Sequence, residues 1–440
     1  MNKLPIQTRD NWAHTLTDEE FCHLETLKKL AEPTISKLAF DDHPNLLVFP
    51  QNLDVYGDKI GNAHIFDIKD NQLVTGNIMG FVGCGNTKVS ITSRFVQDKD
   101  EDYFLHYMLE KVFAINLFDL QFNSDEESIF DFLIYLFPSF LKRAIQQGIY
   151  REYQTHLYND ANVKGRIDVA RHIRLNIPFA GKIAYSTREY AYDNHLTQLI
   201  RHTIEFISHH HLAGNILRND EDTIEAVKVI RQVTQSYDRN KRQKVLNHNL
   251  KPISHPYYGE YLPLQQLCLQ ILRQEEMKYG QDEDEIYGIL FDGAWLWEEY
   301  LNTFLSEIGF EHPRNKEGTG RKYLFVGNSG WCYPDFINSQ KVLDAKYKWY
   351  CDWKKVQSED LYQVISYMHI LDREEGGFIV PVDWDSMKIP SKTLNGKGGT
   401  MSVYGMNVAY KANCFIDFSK HMENEEINIK EDILKSGIEL

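Results

Sequence analysis

Two short runs concentrate acids and a lysine: Tyr333-Pro334-Asp335-Phe336-Ile337 and, after six intervening residues, Asp344-Ala345-Lys346-Tyr347-Lys348. Asn338-Ser339-Gln340 between them is turn-like, so the pair is expected to form a β-hairpin. Side chains alternate along a strand, which sends Asp344 and Lys346 to one face and Ala345 to the other. Asp335, near the start of the preceding strand, can then approach Asp344. Two carboxylates and one ammonium on one spot suit metal-assisted phosphodiester hydrolysis. The aspartates can hold Mg²⁺, with Mn²⁺ as a substitute, and leave positions for water and phosphate. The ion stabilises charge developing on phosphate and acidifies a bound water. Lys346 can orient that water, help deprotonate it, or steady the negative charge. The bland alternative is a surface hairpin with an Asp344–Lys346 salt bridge. Against it, burying such charges without a ligand or partner is costly.

The elements around these residues supply three more candidates. Leu290 to Leu305 is expected to be a helix, and its amphipathic stretch Trp295-Leu296-Trp297-Glu298-Glu299-Tyr300 can lie on the sheet and offer Glu298. Gln363 and Tyr367, four apart on an expected helix over 361–371, share one face and can touch the phosphate backbone or position the lysine. Strands are expected at 322–326, 333–337, 342–347, 378–382 and 401–408, which makes 286–440 an α/β module.

Upstream, Thr17-Asp18-Glu19-Glu20 is a capping box opening a helix over 21–30. Residues 46–95 carry short β-type runs (Leu46–Phe49, Ala63–Ile68, Val89–Thr92) between turns at Tyr56-Gly57-Asp58 and Cys84-Gly85-Asn86. From Asp98 the period becomes helical, and 125–280 reads as mostly helix, interrupted near 159–168. Within it Arg239, Lys241, Arg242, Lys244 and Lys251 form the densest basic segment, either a solvated loop or a phosphate-contacting patch. The acidic run Gln281-Asp282-Glu283-Asp284-Glu285 reads as a linker. The expected fold is therefore a multidomain α+β chain, with regions 1–125 (β-rich), 126–280 (mainly helical) and 281–440 (a mixed sheet flanked by helices).

The 440 residues carry 48 Lys and Arg against 63 Asp and Glu, a net charge of −15. That excludes a protein coating DNA through its overall charge, though not one with a local basic groove. Six scattered cysteines without a C-x-x-C pair indicate neither a zinc ribbon nor a disulfide framework. Reduced thiols and a start (Met1-Asn2-Lys3-Leu4-Pro5) without an apolar segment point to a cytoplasmic protein. The apolar run Ile129 to Leu141 is too short to span a bilayer and reads as a buried helix. Asn395-Gly396-Lys397-Gly398-Gly399-Thr400 and Gly80-Phe81-Val82-Gly83-Cys84-Gly85 resemble nucleotide loops only superficially, and no G-x-x-x-x-G-K-[ST] motif occurs. His209-His210-His211 fits a helix end better than a metal site, and Cys332 has no evident base to activate it.

The pattern Pro334-Asp335 … Asp344-Ala345-Lys346 resembles the PD-(D/E)xK nuclease core, and Gln363-x-x-x-Tyr367 resembles the additional motif of its RecB-like branches. Further blocks resemble the McrC family: Gly76-Asn77-Ile78, Lys88 to Arg94, Val163-Lys164-Gly165-Arg166-Ile167-Asp168, Tyr192 to Leu196, Phe291-Asp292, Leu296 to Tyr300 and Phe378 to Pro381. Ser93-Arg94 stands where the family more often has proline-lysine. The resemblance implies the endonuclease subunit of a modification-dependent (5-methylcytosine-type) restriction system. Such a subunit docks through its N-terminal part on a separate AAA+ GTPase ring and cuts modified double-stranded DNA with its C-terminal domain, without any membrane. It further implies Asp335, Asp344 and Glu298 as metal ligands, with Lys346 and Gln363 completing the catalytic set. Candidate DNA contacts are Tyr367, Arg166, Arg242 and Lys244, and Arg94 is the candidate contact to the ring. Two other readings stay open: a stand-alone RecB-like nuclease, and a mainly regulatory activator of an AAA+ ring.

Overall fold

The structure is a computed structural model. It describes residues 6–38, 46–50, 60–85, 87–96, 102–113, 126–210, 216–218, 220–278, 286–315, 318–350, 352–383, 389–396 and 398–435, those of 126–132 and 274–278 as backbone only. The chain start through Pro5, the turn Tyr56-Gly57-Asp58, Asn86, His211, the acidic run 281–285, Cys351 and Lys397 lie outside them. The chain forms two compact units: Met1–Phe132 with Tyr279–Leu440, and Leu133–Lys278. The second unit lies within the expected middle region 126–280, and the stretches before and after it belong to the first.

One strand explains the interruption. Ile286–Asp292 lies inside the N-terminal sheet, antiparallel to Ile78–Cys84 and parallel to Leu46–Phe49. Thr87–Thr92 and Ile6–Arg9 complete that five-stranded sheet. Its core is Ile6, Leu46, Val48, Ile78, Val82, Val89, Ile91, Ile286 and Leu290. The sequence places Leu290 and Phe291 at the start of a helix. In the structure they are buried strand residues, and the helix is Gly293–Leu305, capped by the Asp292 carboxylate on the Ala294 amide at 3.0 Å. A short apolar run has no period that separates a buried strand from a helix turn. Gly80 and Gly288 permit the pairing. Each has positive φ, and a Cβ on either would fall 2.2 Å from a carbonyl oxygen of the opposite strand. Within 80–85, Gly80 therefore serves strand approach and Gly83 makes room for the Tyr287 ring, in a strand and not a nucleotide loop.

The capping box at Thr17–Glu20 forms as expected, opening Asp18–Phe21, with a second helix at Leu24–Ala31. The C-terminal sheet runs Phe336–Ile337, Lys341–Ala345, Glu375–Val382, Thr400–Asn407 and Ile389–Thr393. Its first pair is the expected hairpin, antiparallel, with the Asn338 side chain accepting the Gln340 and Lys341 amides in the turn. The next two pairs are parallel. The Ser358–Leu371 helix crosses over between Lys341–Ala345 and Glu375–Val382, packing Val364 and Met368 against Phe378 and Val380.

The Leu133–Lys278 unit departs most from the sequence reading. Glu152–Asp160 and Ile183–Ala191 are paired antiparallel strands, with Arg166–Ile167 added at the edge. Burial alternates from Tyr153 to Tyr158, a period-2 signal that the helical reading passed over, whereas Ile183–Ala191 shows no clean alternation. The basic segment, expected as a solvated loop or a phosphate-contacting patch, is a short 3₁₀ turn at Arg239–Lys241 followed by the helix Arg242–His248. The apolar run 129–141 lies within the helix Glu126–Gln146, buried over most of its described length. Among the described residues no helix is long and apolar enough to cross a membrane.

Candidate active site

Asp335 sits just before the first hairpin strand, and its Oδ2 accepts the Ala345 amide at 2.7 Å. One carboxylate oxygen thereby takes a position that a backbone carbonyl would hold in the ladder, which locks Asp335 against the strand carrying Asp344. Asp344 is 1% exposed. Its Oδ2 lies 2.7 Å from the Lys346 ammonium, and its Oδ1 has no hydrogen-bond partner. A buried carboxylate oxygen without a donor is costly. Lys346 follows the last strand residue; its amide donates to the Ile379 carbonyl at 3.0 Å, which anchors it to the neighbouring strand.

The Ser358–Leu371 helix supplies the other side. Lys346 Nζ donates to Gln363 Oε1 at 3.3 Å, and Gln363 Nε2 donates to the Tyr367 hydroxyl at 3.1 Å. The i, i+4 spacing works as anticipated, and both polar groups of Gln363 are engaged. Tyr367 is held back from the surface and its hydroxyl is pushed up to about 12, chiefly by burial. One turn earlier on the same face is Asp360, which the sequence reading missed although its i−3 spacing from Gln363 was a usable signal. Asp360 Oδ1 lies 3.4 Å from Lys346, and Oδ2 accepts from Lys348 at 3.1 Å and from the Tyr350 hydroxyl. Burial pushes its pKa up, but Tyr350, Lys346 and Lys348 outweigh that and hold it below the usual carboxylate range.

The electrostatics are those of surplus negative charge. Asp344 is pushed up to about 8, by burial first and then by Asp335, against the pull of Lys346. Burial also raises Asp335, with Lys346 and the Ala345 amide opposing. Glu298, on the Gly293–Leu305 helix, is raised well above its ordinary value by burial and by repulsion from Asp335, Asp292 and Asp344. Burial would lower Lys346, but Asp344 and Asp335 raise it, so it stands as an ammonium. A second missed residue is His312: its ring nitrogen Nδ1 is 2.7 Å from the Asp335 carbonyl oxygen, its Nε2 is 3.7 Å from Glu299, and its ring stacks on Phe336.

Three carboxylates that repel one another, one with an orphaned buried oxygen, form an oxygen-donor set short of positive charge. That chemistry fits a hard divalent cation. Among the described residues, no three His, Cys, Asp or Glu side chains stand close enough to enclose an ion as they are. Lys346 stands on Oδ2 of Asp344, which leaves the orphaned Oδ1 to such an ion.

The remaining candidates do not join this cluster. Arg94 is not a free surface cation. Its guanidinium pairs with fully buried Asp10, donates to Asn77 Oδ1 at 2.5 Å and lies 4.8 Å from the centre of the Tyr347 ring. Beside it the Ser93 hydroxyl meets the Tyr347 hydroxyl at 2.9 Å, so Ser93-Arg94 braces the chain just after Lys346. In the second unit, Arg242 is also committed internally, donating to the Leu272 carbonyl and covering Phe206. Lys244 and Arg166 are exposed. Gly165 lies so close to the opposite strand that a Cβ would sit 2.1 Å from the Ser186 oxygen, and Asp168 caps the helix Val169–Leu175, which favours a structural turn there. His209 Nδ1 contacts the Glu205 carbonyl at a helix end.

None of the curated proteins matches the chain. Among solved structures it is similar to a half-complex of the tetradecameric assembly of Thermococcus gammatolerans McrB AAA+ hexamers with bound McrC. That match has 15% identity, covers 96% of this chain and 99% of that one, and has a TM-score of 0.48. A second likeness is to the Thermococcus gammatolerans McrBC complex, at 15% identity, covering 69% and 87%, with a TM-score of 0.32. The sequence matches the family described as McrBC 5-methylcytosine restriction system component over residues 73–381, a span that includes Glu298, Asp335, Asp344, Lys346, Gln363 and Tyr367. Covering more than two thirds of the chain, this match shows that the protein belongs to the McrBC restriction system component family.

Proposed function

We propose that this chain is the endonuclease subunit of its restriction system: a Mg²⁺-dependent PD-(D/E)xK enzyme that hydrolyses phosphodiester bonds in modified double-stranded DNA. Mn²⁺ would substitute for Mg²⁺. In this reading the chain docks on, and stimulates, an AAA+ GTPase ring of the McrB kind. The observation that carries the proposal is the convergence of Asp335, Asp344, Lys346 and Gln363 around a buried carboxylate oxygen with no donor of its own.

Asp335, Asp344 and Glu298 would hold the cation, which when bound offsets charge on the phosphate and acidifies a water. The rest follows from the chain. The Ala345 amide fixes the orientation of Asp335, so its second oxygen is presented without a rotamer search. Lys346, standing as an ammonium, offers its protons toward the oxygen on which charge develops. Gln363 limits where that ammonium can go, and Tyr367 limits Gln363. The absence of a phosphate-loop motif in the sequence leaves the nucleotide motor to another protein.

The test is cleavage of methylated DNA by the purified chain together with its ring partner, with Asp344→Ala beside wild type. Cleavage should fall by at least about 10³-fold, as for loss of a central catalytic group. Stimulation of the partner's GTPase should survive, because Asp344 faces the interior of the site. Undiminished cutting by Asp344→Ala would sink the assignment.

A further inference from the structure

Lys346 has three acceptors within reach: Asp344 Oδ2 at 2.7 Å, Gln363 Oε1 at 3.3 Å and Asp360 Oδ1 at 3.4 Å. Only the first belongs to the carboxylates proposed to hold the cation. An ammonium on Asp344 Oδ2 and a divalent cation on Oδ1 of the same carboxylate would stand a few ångströms apart and repel each other. If Lys346 had nowhere else to go, uptake of the ion would leave a largely buried ammonium without a counter-charge, which is strongly unfavourable. Asp360 answers that need. It is 7% exposed, lies outside the Asp335–Asp344–Glu298 group, and is oriented by Tyr350 and Lys348 on its other oxygen. Its Oδ1 is the oxygen left facing Lys346.

We propose that Asp360 is the alternative counter-ion of Lys346: when Asp344 takes up the divalent cation, the ammonium moves off Asp344 onto Asp360 and Gln363. Asp360 is thus a positioning residue. It makes Asp344 available to the cation and keeps Lys346 at the edge of the site. The inference rests on Asp335 and Asp344 being cation ligands. A residue that merely tied down Tyr350 and Lys348 would affect the fold but would not couple to Lys346.

The experiment is calorimetric titration of the full chain with Mn²⁺ in the absence of DNA, for wild type, Asp360→Asn, Lys346→Ala, the double variant and Asp344→Ala. Asp360→Asn should weaken Mn²⁺ binding on the order of tenfold, the scale at which one nearby charge shifts a buried equilibrium. In the Lys346→Ala background the same substitution should change little, because the competitor is gone. Wild-type affinity in Asp360→Asn, or equal weakening in both backgrounds, overturns the proposal. Should Asp360→Asn fail to fold, a structure of the Mn²⁺-loaded wild-type chain decides instead: Lys346 Nζ within hydrogen-bond distance of Asp360 and away from Asp344 supports it, and an ammonium still on Asp344 overturns it. Mn²⁺ uptake lost in Asp344→Ala but indifferent to Asp360 removes only the role of Asp360. No Mn²⁺ uptake by wild type, or unchanged uptake in Asp344→Ala, removes the ligand reading as well.

Discussion

Asp344 carries a pKa of about 8 against an ordinary 3.8, because burial and Asp335 outweigh Lys346. Its folded value lies above its unfolded value, so the folded state binds more protons between these two pH values and loses stability as pH rises from about 4 to about 8. Asp344→Asn should therefore remove part of this loss. In melting curves without metal at pH 8 the variant should be more stable than wild type, because the carboxylate that burial and Asp335 penalise is gone while Lys346 keeps Asp360. At pH 4 the two should coincide, and cleavage should be absent in the variant. A variant less stable than wild type at pH 8 would mean that the Asp344–Lys346 pair stabilises the fold. Cation affinity carries the matching sign: protons compete for Asp344, so apparent Mn²⁺ affinity should fall as pH drops below about 8. These residues were readable from Asp335, Asp344, Lys346 and Gln363 alone. Asp360 and His312 were not read, since one needed a helix face to be followed back a turn and the other contacts Asp335 through the backbone.

At the level of elements, two connections hold the site strand. Arg94 pairs with Asp10, whose side chain is fully buried, so Arg94→Ala leaves an uncompensated buried carboxylate and should cost about 3–5 kcal/mol. Denaturant unfolding checks this. A neutral effect on stability with lost ring binding would instead restore Arg94 as a docking residue. The other connection is the Ile286–Asp292 strand, which runs straight into the helix bearing Glu298. Gly288→Ala would drive a Cβ to 2.2 Å from the Phe81 oxygen at a backbone angle that alanine resists. A loss of more than about 2 kcal/mol is expected, with cleavage reduced in parallel as the helix loses its anchor. Here the sequence misled: Leu290 and Phe291 look like a helix start because the strand on their left and the strand on their right come from sequence some two hundred residues away.

For the molecule as a whole, the N- and C-terminal stretches form one compact unit, and Leu133–Lys278, between them in sequence, forms another. A fragment of residues 281–440 should therefore fail to stay in solution, because Ile286, Ile289, Leu290 and Phe291 lose both neighbouring strands and expose an apolar edge. Coexpression with residues 1–132 should rescue it, as judged by size-exclusion chromatography. A soluble, monodisperse 281–440 fragment would show instead that the boundary near 280 separates independent domains. The net charge of −15 has a consequence at the same scale. Isolated chain should bind DNA weakly and with a shallower salt dependence than the complex with its partner, which supplies much of the phosphate contact in the proposed assembly.

Local chemistry was determined by the sequence itself. The alternation of Asp344 and Lys346, the turn at Asn338-Ser339-Gln340, the helix pair Gln363 and Tyr367 and the capping box at Thr17 depend on residues a few positions apart, and these formed as expected. What the tertiary structure alone decided depends on partners far along the chain. It put Ile286–Asp292 between strands from the first hundred residues, and it turned Arg94 from a surface candidate into a half-buried brace beside Tyr347. It also paired Glu152–Asp160 with Ile183–Ala191. A sheet is stabilised by neighbours whose identity is written nowhere in the strand they flank, and the sign of a buried group's pKa shift is set by whichever charges the fold brings to it.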